Sequence, residues 1–228
     1  MLTTLMILGL LQFGTAQPKT IVIDAGHQAK ANLSKEPVAP NSKTMKTKVT
    51  QGATGVNTGK AEYELNLEVA LQLQKELEDR GYEVFMCREV NDIDISNVER
   101  AQMANKLDAD AFIRIHANSS EYPTVNGMMT ICQTAKNPDN KALYKESRAL
   151  SDEILKYMMS STDTEKGYVW ETDTMSGINW AQVPVTIVEM GYLSNPEEDL
   201  LLSTSRYQKQ IVTGIADGLD SYFTLQTQ

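Results

Sequence analysis

Residues 20 to 27 read Thr-Ile-Val-Ile-Asp-Ala-Gly-His. The apolar residues run on without alternating, which marks a strand buried on both faces, and Gly26 supplies the turn that ends it. Two later stretches have the same form. Residues 111 to 116 read Ala-Phe-Ile-Arg-Ile-His, and residues 184 to 189 read Pro-Val-Thr-Ile-Val-Glu. Further strands are expected over Tyr82 to Cys87 and Gly127 to Gln133. Helical patterns lie between them. Leu65, Val69, Leu73 and Leu77 recur every fourth residue within 63 to 80, with Gly81 as the stop. Ser96 and Glu99 form a capping box ahead of a helix through Leu107. Ala142 to Met159 and Ser205 to Tyr222 are amphipathic helices. Apolar strands alternating with helices give an α/β fold: a mixed, mostly parallel sheet covered on both faces.

The remaining segments are irregular. Residues 28 to 60 lack periodicity and carry six lysines against one acid, Glu36. Residues 160 to 182 also lack a pattern and hold Trp170 and Trp180. Two readings of these segments stand open. They form opposite walls of a substrate groove, with the lysines and tryptophans as contacts, or they are a surface loop and two core tryptophans. The chain of 228 residues fits one domain, expected over 18 to 228 with no wall-binding repeat attached. A net charge of −9 argues against nucleic-acid partners. Residues 1 to 17 contain the short apolar run Leu-Met-Ile-Leu-Gly-Leu-Leu at 5 to 11, followed by Gly14-Thr15-Ala16. This reads as an export signal, too short to span a bilayer, and a secreted protein with no membrane span after processing is expected. A buried strand is the competing reading. Cys87 and Cys132 both end expected strands and read as buried free thiols.

Ligands in folds of this class gather at the carboxyl ends of the strands. His27 and His116, the two histidines of the chain, both fall there, and so does Glu189. Two imidazoles leave a catalytic zinc short of a third protein ligand. Extending the apolar stripe of the 63–80 helix backward from Leu73 through Val69 and Ala70 reaches Asn66 and Glu62. Glu64 and Glu68 align instead with Gln72 and Lys75 on the solvent face. Glu62 therefore looks into the site, unless it only favours the positive helix end. A His, Glu, His set suits zinc and leaves room for water. Glu189 would then move the proton between that water and a leaving amine.

Four motifs stand in one order: Ile21 to His27, Glu62 to Leu67, Ile113 to Asn118, and Val188 to Asn195. Together they resemble the zinc-dependent N-acetylmuramoyl-L-alanine amidases of the amidase-3 type, over roughly residues 19 to 223. Arg100 to Asn105 also matches. The resemblance implies zinc held by His27, Glu62 and His116, with Glu189 as the catalytic carboxylate. It implies hydrolysis of the amide between N-acetylmuramic acid and L-alanine in peptidoglycan, on a sheet of roughly six strands. A zinc metallopeptidase acting on the stem peptide and a non-catalytic peptidoglycan-binding module are the alternatives, and a monomer is expected. The chain departs from the family pattern where Gln28-Ala29 replace a glycine pair, where segment 28 to 61 is long, and where Arg114 takes the place of a small residue. Arg114 is expected to touch a stem-peptide carboxylate or to pair with a buried acid, the second being favoured. Asp24 is expected to accept backbone amides. Arg88 is expected to pair with an acid, and Met128, Met129 and Met190 to fill the core.

Overall fold

A computed structural model describes residues 17 to 226. The expected export signal therefore lies almost wholly outside the described residues. Six strands form one sheet in the order β4-β1-β5-β8-β6-β7. They are β1 (Thr20–Ala25), β4 (Glu83–Met86), β5 (Ala111–Asn118), β6 (Met128–Cys132), β7 (Gly167–Glu171) and β8 (Val185–Tyr192). β4, β1, β5 and β8 run parallel; β6 runs antiparallel to β8, and β7 runs parallel to β6. This is the mixed, mostly parallel six-stranded sheet that the sequence implied.

Side-chain alternation divides the core. Ile21, Ile23, Ile113, Ile115, Val188 and Met190 face one side. There they meet α1 (Glu62–Asp79), α3 (Tyr144–Thr162) and α6 (Ser205–Gln226) through Leu73, Ile154 and Ile215. Val22, Phe112, Val185 and Ile187 face the other side, against Ala101 and Ala104 of α2 (Asn97–Lys106) and Ile178 of α4 (Ser176–Asn179). The alternation places Asp24, Arg114, His116 and Glu189 on this second side. α5 (Pro196–Leu202) starts at Asn195, whose side chain accepts from the Glu197 and Glu198 amides. Ser96 and Glu99 form the expected reciprocal cap of α2, at 3.2 and 2.8 Å. Met128, Met129 and Met190 are buried as expected, and Cys87 and Cys132 are buried free thiols. No helix among the described residues is long and apolar enough to cross a membrane.

Both segments read as irregular contain regular structure. Residues 28 to 60 hold an antiparallel hairpin of β2 (Asn32–Pro37) and β3 (Met45–Val49). Its strands are largely exposed and polar, so they carry no apolar alternation to betray them. Residues 160 to 182 hold β7 and α4. β7 is an edge strand packed on one face only, through Val169. The hairpin is tied to the second segment. Trp180 Nε1 donates to the Pro37 carbonyl at 2.9 Å, Asn179 Nδ2 to the Val38 carbonyl at 3.1 Å, and Lys46 Nζ to the Thr174 carbonyl at 2.8 Å.

Candidate active site

The carboxyl ends of β1, β5 and β8 converge on one cluster. β1 runs out through Gly26 into His27, whose backbone takes the left-handed conformation at φ 63°. Gly26 has no side chain for a steric reason: a Cβ there would occupy the space of the His116 ring. The two imidazoles lie 4.8 Å apart, edge to face. The first turn of α1 delivers Glu62 from the opposite sheet face. Its Oε1 lies 3.1 Å from His27 Nε2 and 3.2 Å from His116 Nδ1. The Ala53 and Ala117 amides donate to the two Glu62 oxygens at 2.8 and 3.2 Å, and Asn66 Nδ2 reaches the Gly26 carbonyl at 3.2 Å. Glu64 turns away and accepts from the Ala61 amide at 3.3 Å, while Glu68 pairs with Lys60 at 2.6 Å. The division of acids expected from the helix stripe is the one the fold displays.

His27, Glu62 and His116 each present a ligand atom, all within 4.8 Å of one another. Burial would raise the Glu62 carboxyl, but the two histidines beside it outweigh that and hold it well below the usual range. Burial lowers His116 to about 4, so its ring is neutral at pH 7 with a lone pair to offer. His116 Nε2 is buried and has no protein partner. An idle buried nitrogen in a neutral ring, beside an ionised carboxylate and a second imidazole, fits a borderline divalent cation such as zinc. Thr50, which no sequence pattern marks, sets the second histidine. Its carbonyl lies 3.0 Å from His27 Nδ1, and since a carbonyl only accepts, Nδ1 carries the proton.

Glu189 stands beside His116 in the sheet register, on the same face. Its Oε2 is buried without a partner. Burial, helped by the negative charge of Glu62 and opposed by Arg114, raises its carboxyl well above the ordinary value. A cavity of about 350 Å³ opens over this row. Lys46, Thr47, Val49 and Thr50 line it from the hairpin side, and Met175, Ser176 and Gly177 from the other. The two segments thus face each other across the cavity, but not through their tryptophans. Trp180 turns its indole to the hairpin backbone and packs against the second core cluster. Trp170 is 40% exposed on β7, opposite Ile131 and outside the cavity lining.

Trp180 therefore reads as an anchor. Trp180→Ala is expected to cost about 2–4 kcal/mol, through lost packing and an unpaired Pro37 carbonyl. A thermal melt should show a fall of at least ~5 °C. A melt unchanged from wild type would return Trp180 to the groove.

Two other expectations are corrected. Asp24 does not accept backbone amides; it is fully buried between the guanidinium groups of Arg100 and Arg114. Arg88 pairs with no acid among the described residues. It donates to the Ala25, Gly26 and Tyr63 carbonyls, because those of the first two lie where β1 ends and need partners.

The N-acetylmuramoyl-L-alanine amidase model, Amidase_3, matches residues 21 to 221. An uncharacterized protein of Bacillus subtilis, YqiI, is 28% identical over 205 residues, covering 90% of this chain and 85% of that protein. The N-acetylmuramoyl-L-alanine amidase LytC of Bacillus subtilis is 27% identical over 173 residues, covering 76% of this chain but 33% of LytC. The catalytic domain of CwlV, an N-acetylmuramoyl-L-alanine amidase of Bacillus (Paenibacillus) polymyxa, superposes with a TM-score of 0.72 at 28% identity, covering 90% of this chain and 98% of that domain. A family match that runs from the first buried strand to the last helix takes in all four motifs and every element of the cluster, and on that ground the chain belongs to the Amidase_3 family of N-acetylmuramoyl-L-alanine amidases.

Proposed function

We propose that this amidase cleaves the bond between the lactyl carbonyl of N-acetylmuramic acid and the nitrogen of L-alanine in peptidoglycan, with zinc held by His27, Glu62 and His116. The observation that carries this reading is the placement of Glu189 beside His116 in a cavity that both histidines line, with Glu62 against them. Zinc, when bound, polarises the scissile carbonyl as a Lewis acid and makes water a stronger acid. Glu189 Oε2 accepts the proton of the attacking water and returns it to the departing nitrogen. The products are a lactyl carboxylate and a stem peptide with a free amino group. Glu62, held by two backbone amides, keeps both imidazoles facing the cavity, and Thr50 fixes the tautomer of His27. Residues 18 to 228 act as one catalytic domain, a monomer working at the cell wall, and residues 1 to 17 serve as its export signal.

Elemental analysis should find about one zinc per chain, as three protein ligands and a water position imply. Mass spectrometry of digested peptidoglycan should show intact stem peptides freed from glycan; fragments cut within the stem would instead favour the metallopeptidase reading. Glu62→Gln should weaken zinc retention while Glu64→Gln leaves it unchanged. The reverse outcome would overturn the ligand assignment, and an active metal-free preparation would end the zinc proposal.

A further inference from the structure

We infer that Arg114 is a specificity residue that binds a free carboxylate on the stem peptide, next to the amide that is cut. The inference rests on the function proposed above and adds a preference among its substrates. Three guanidinium groups, those of Arg88, Arg100 and Arg114, are buried beneath the strand ends. Each offers five N–H donors. Arg88 uses all five on neutral acceptors: Nε on Ala25, Nη1 on Val90 and Asn91, Nη2 on Gly26 and Tyr63. Arg100 also uses all five: Nε on Ile95, Nη1 on Asp24 and Ala25, Nη2 on His27 and Gln28.

Arg114 does not. Its Nε donates to Asp24 Oδ2 at 2.9 Å, and its Nη2 serves Asn97 Oδ1 at 2.7 Å and Asp24 Oδ2 at 2.8 Å. Nη1 has no partner among the described residues, although only 3% of the residue is exposed. That nitrogen faces the cavity, where water can serve it and a ligand carboxylate could replace the water. Arg114 and Gly177 both line the cavity, and a Cβ on Gly177 would collide with Nη1, so the missing side chain leaves that nitrogen uncovered.

The charge balance points the same way. Arg100 and Arg114 share one carboxylate, Asp24, so the network keeps one positive charge. Arg114 sits two residues before His116 on β5, opposite Ile187, while His116 sits opposite Glu189. That places it about 7 Å along the strand from the reacting row, a reach of one to two residues of extended peptide. A carboxylate there would gain charge-assisted hydrogen bonds that its amidated form, neutral and of the same shape, would lack.

The test uses a matched pair of muramyl peptides, one with the carboxylate free on the residue after L-alanine and one with it amidated. Wild-type enzyme, zinc-loaded, should favour the free form by about tenfold in kcat/KM, the gap between hydrogen bonds to charged and to neutral groups. Arg114→Gln should bring the ratio near one. Because that change also removes the charge beside Asp24, Gly177→Ala is the second variant: its Cβ would collide with Nη1 and Cζ, so it displaces the guanidinium while Arg114 keeps its charge. Calorimetric titration of the free and amidated product peptides gives a second readout, where the wild-type preference should recur and both variants should lose it.

Equal use of both substrates by wild type would overturn the inference. So would an unchanged ratio in either variant that still melts cooperatively and holds zinc. If Arg114 acted only by its charge on Glu189, Arg114→Gln would shift the pH profile for both substrates alike and leave the ratio intact, which also overturns it. Should wild type cut neither substrate, the proposed function fails, and the inference is judged on the titration alone, where equal affinities would sink it.

Discussion

Glu189→Gln is expected to lower kcat for amide hydrolysis by ~10²-fold or more while zinc stays bound. Glutamine keeps the size and shape of the side chain, so the pairing of β8 with β5 and β6 is undisturbed. What it removes is the oxygen able to hold a proton in transit. The orphaned Oε2 stands at the cavity beside His116, where the proposed reaction would bring water and the leaving nitrogen. The pH dependence carries a second signature. Burial raises the Glu189 carboxyl above the ordinary glutamate value. The form competent as a base fills in as pH rises through the Glu189 value, which burial raises and a bound zinc would lower, so wild-type activity should carry an acid limb. The Gln variant should lose that acid limb along with the rate. A Gln variant with wild-type kcat would remove Glu189 from the chemistry. One that sheds zinc would make it a ligand instead of a base.

His27, His116 and Glu189 were legible because each ends an apolar run, and a polar side chain at such a position has little reason to be there except a site. Glu62 was legible from the helix stripe, which separated it from Glu64 two residues on. What escaped was whatever depended on long-range partners. The hairpin strands Asn32–Pro37 and Met45–Val49 bury only Glu36 and Val49, so neither shows the half-buried alternation of a strand. Thr50 orients His27 across 23 residues with a backbone carbonyl, a group every residue has. Trp170 and Trp180 drew attention as flat aromatic faces, yet nothing in the sequence could tell that the Trp180 indole is spent on holding the hairpin. Asp24 is the plainest case. Its place at a strand end was readable, but its partners lie 76 and 90 residues away.

Those partners make Asp24→Asn the substitution with the largest expected effect on stability. Asp24 is wholly buried, and burial alone would raise its carboxyl. Arg100 and Arg114 outweigh that and hold it well below the usual carboxylate range. Asparagine keeps the shape but leaves two buried guanidinium groups with no counter-charge, a defect that costs about 3–5 kcal/mol. For a chain of this size a thermal melt should drop by roughly 6–20 °C. The pH dependence has a definite sign. A depressed folded-state value means the contribution is complete above the unfolded aspartate value of about 3.9 and is lost as pH falls below it. The gap between wild type and Asn should hold steady from pH 7 to pH 5 and narrow below about pH 4, as the unfolded wild-type chain takes up the proton while folded Asp24 stays ionised. A gap under ~1 kcal/mol at pH 7 would show that solvent reaches the cluster and screens it as at a surface. The same experiment bears on the site, because Arg100 also donates to the His27 carbonyl and Arg114 lines the cavity. At temperatures where the Asn variant is still folded, zinc retention should weaken with it, since Arg100, which loses Asp24, also holds the Ala25 and His27 carbonyls at the end of β1.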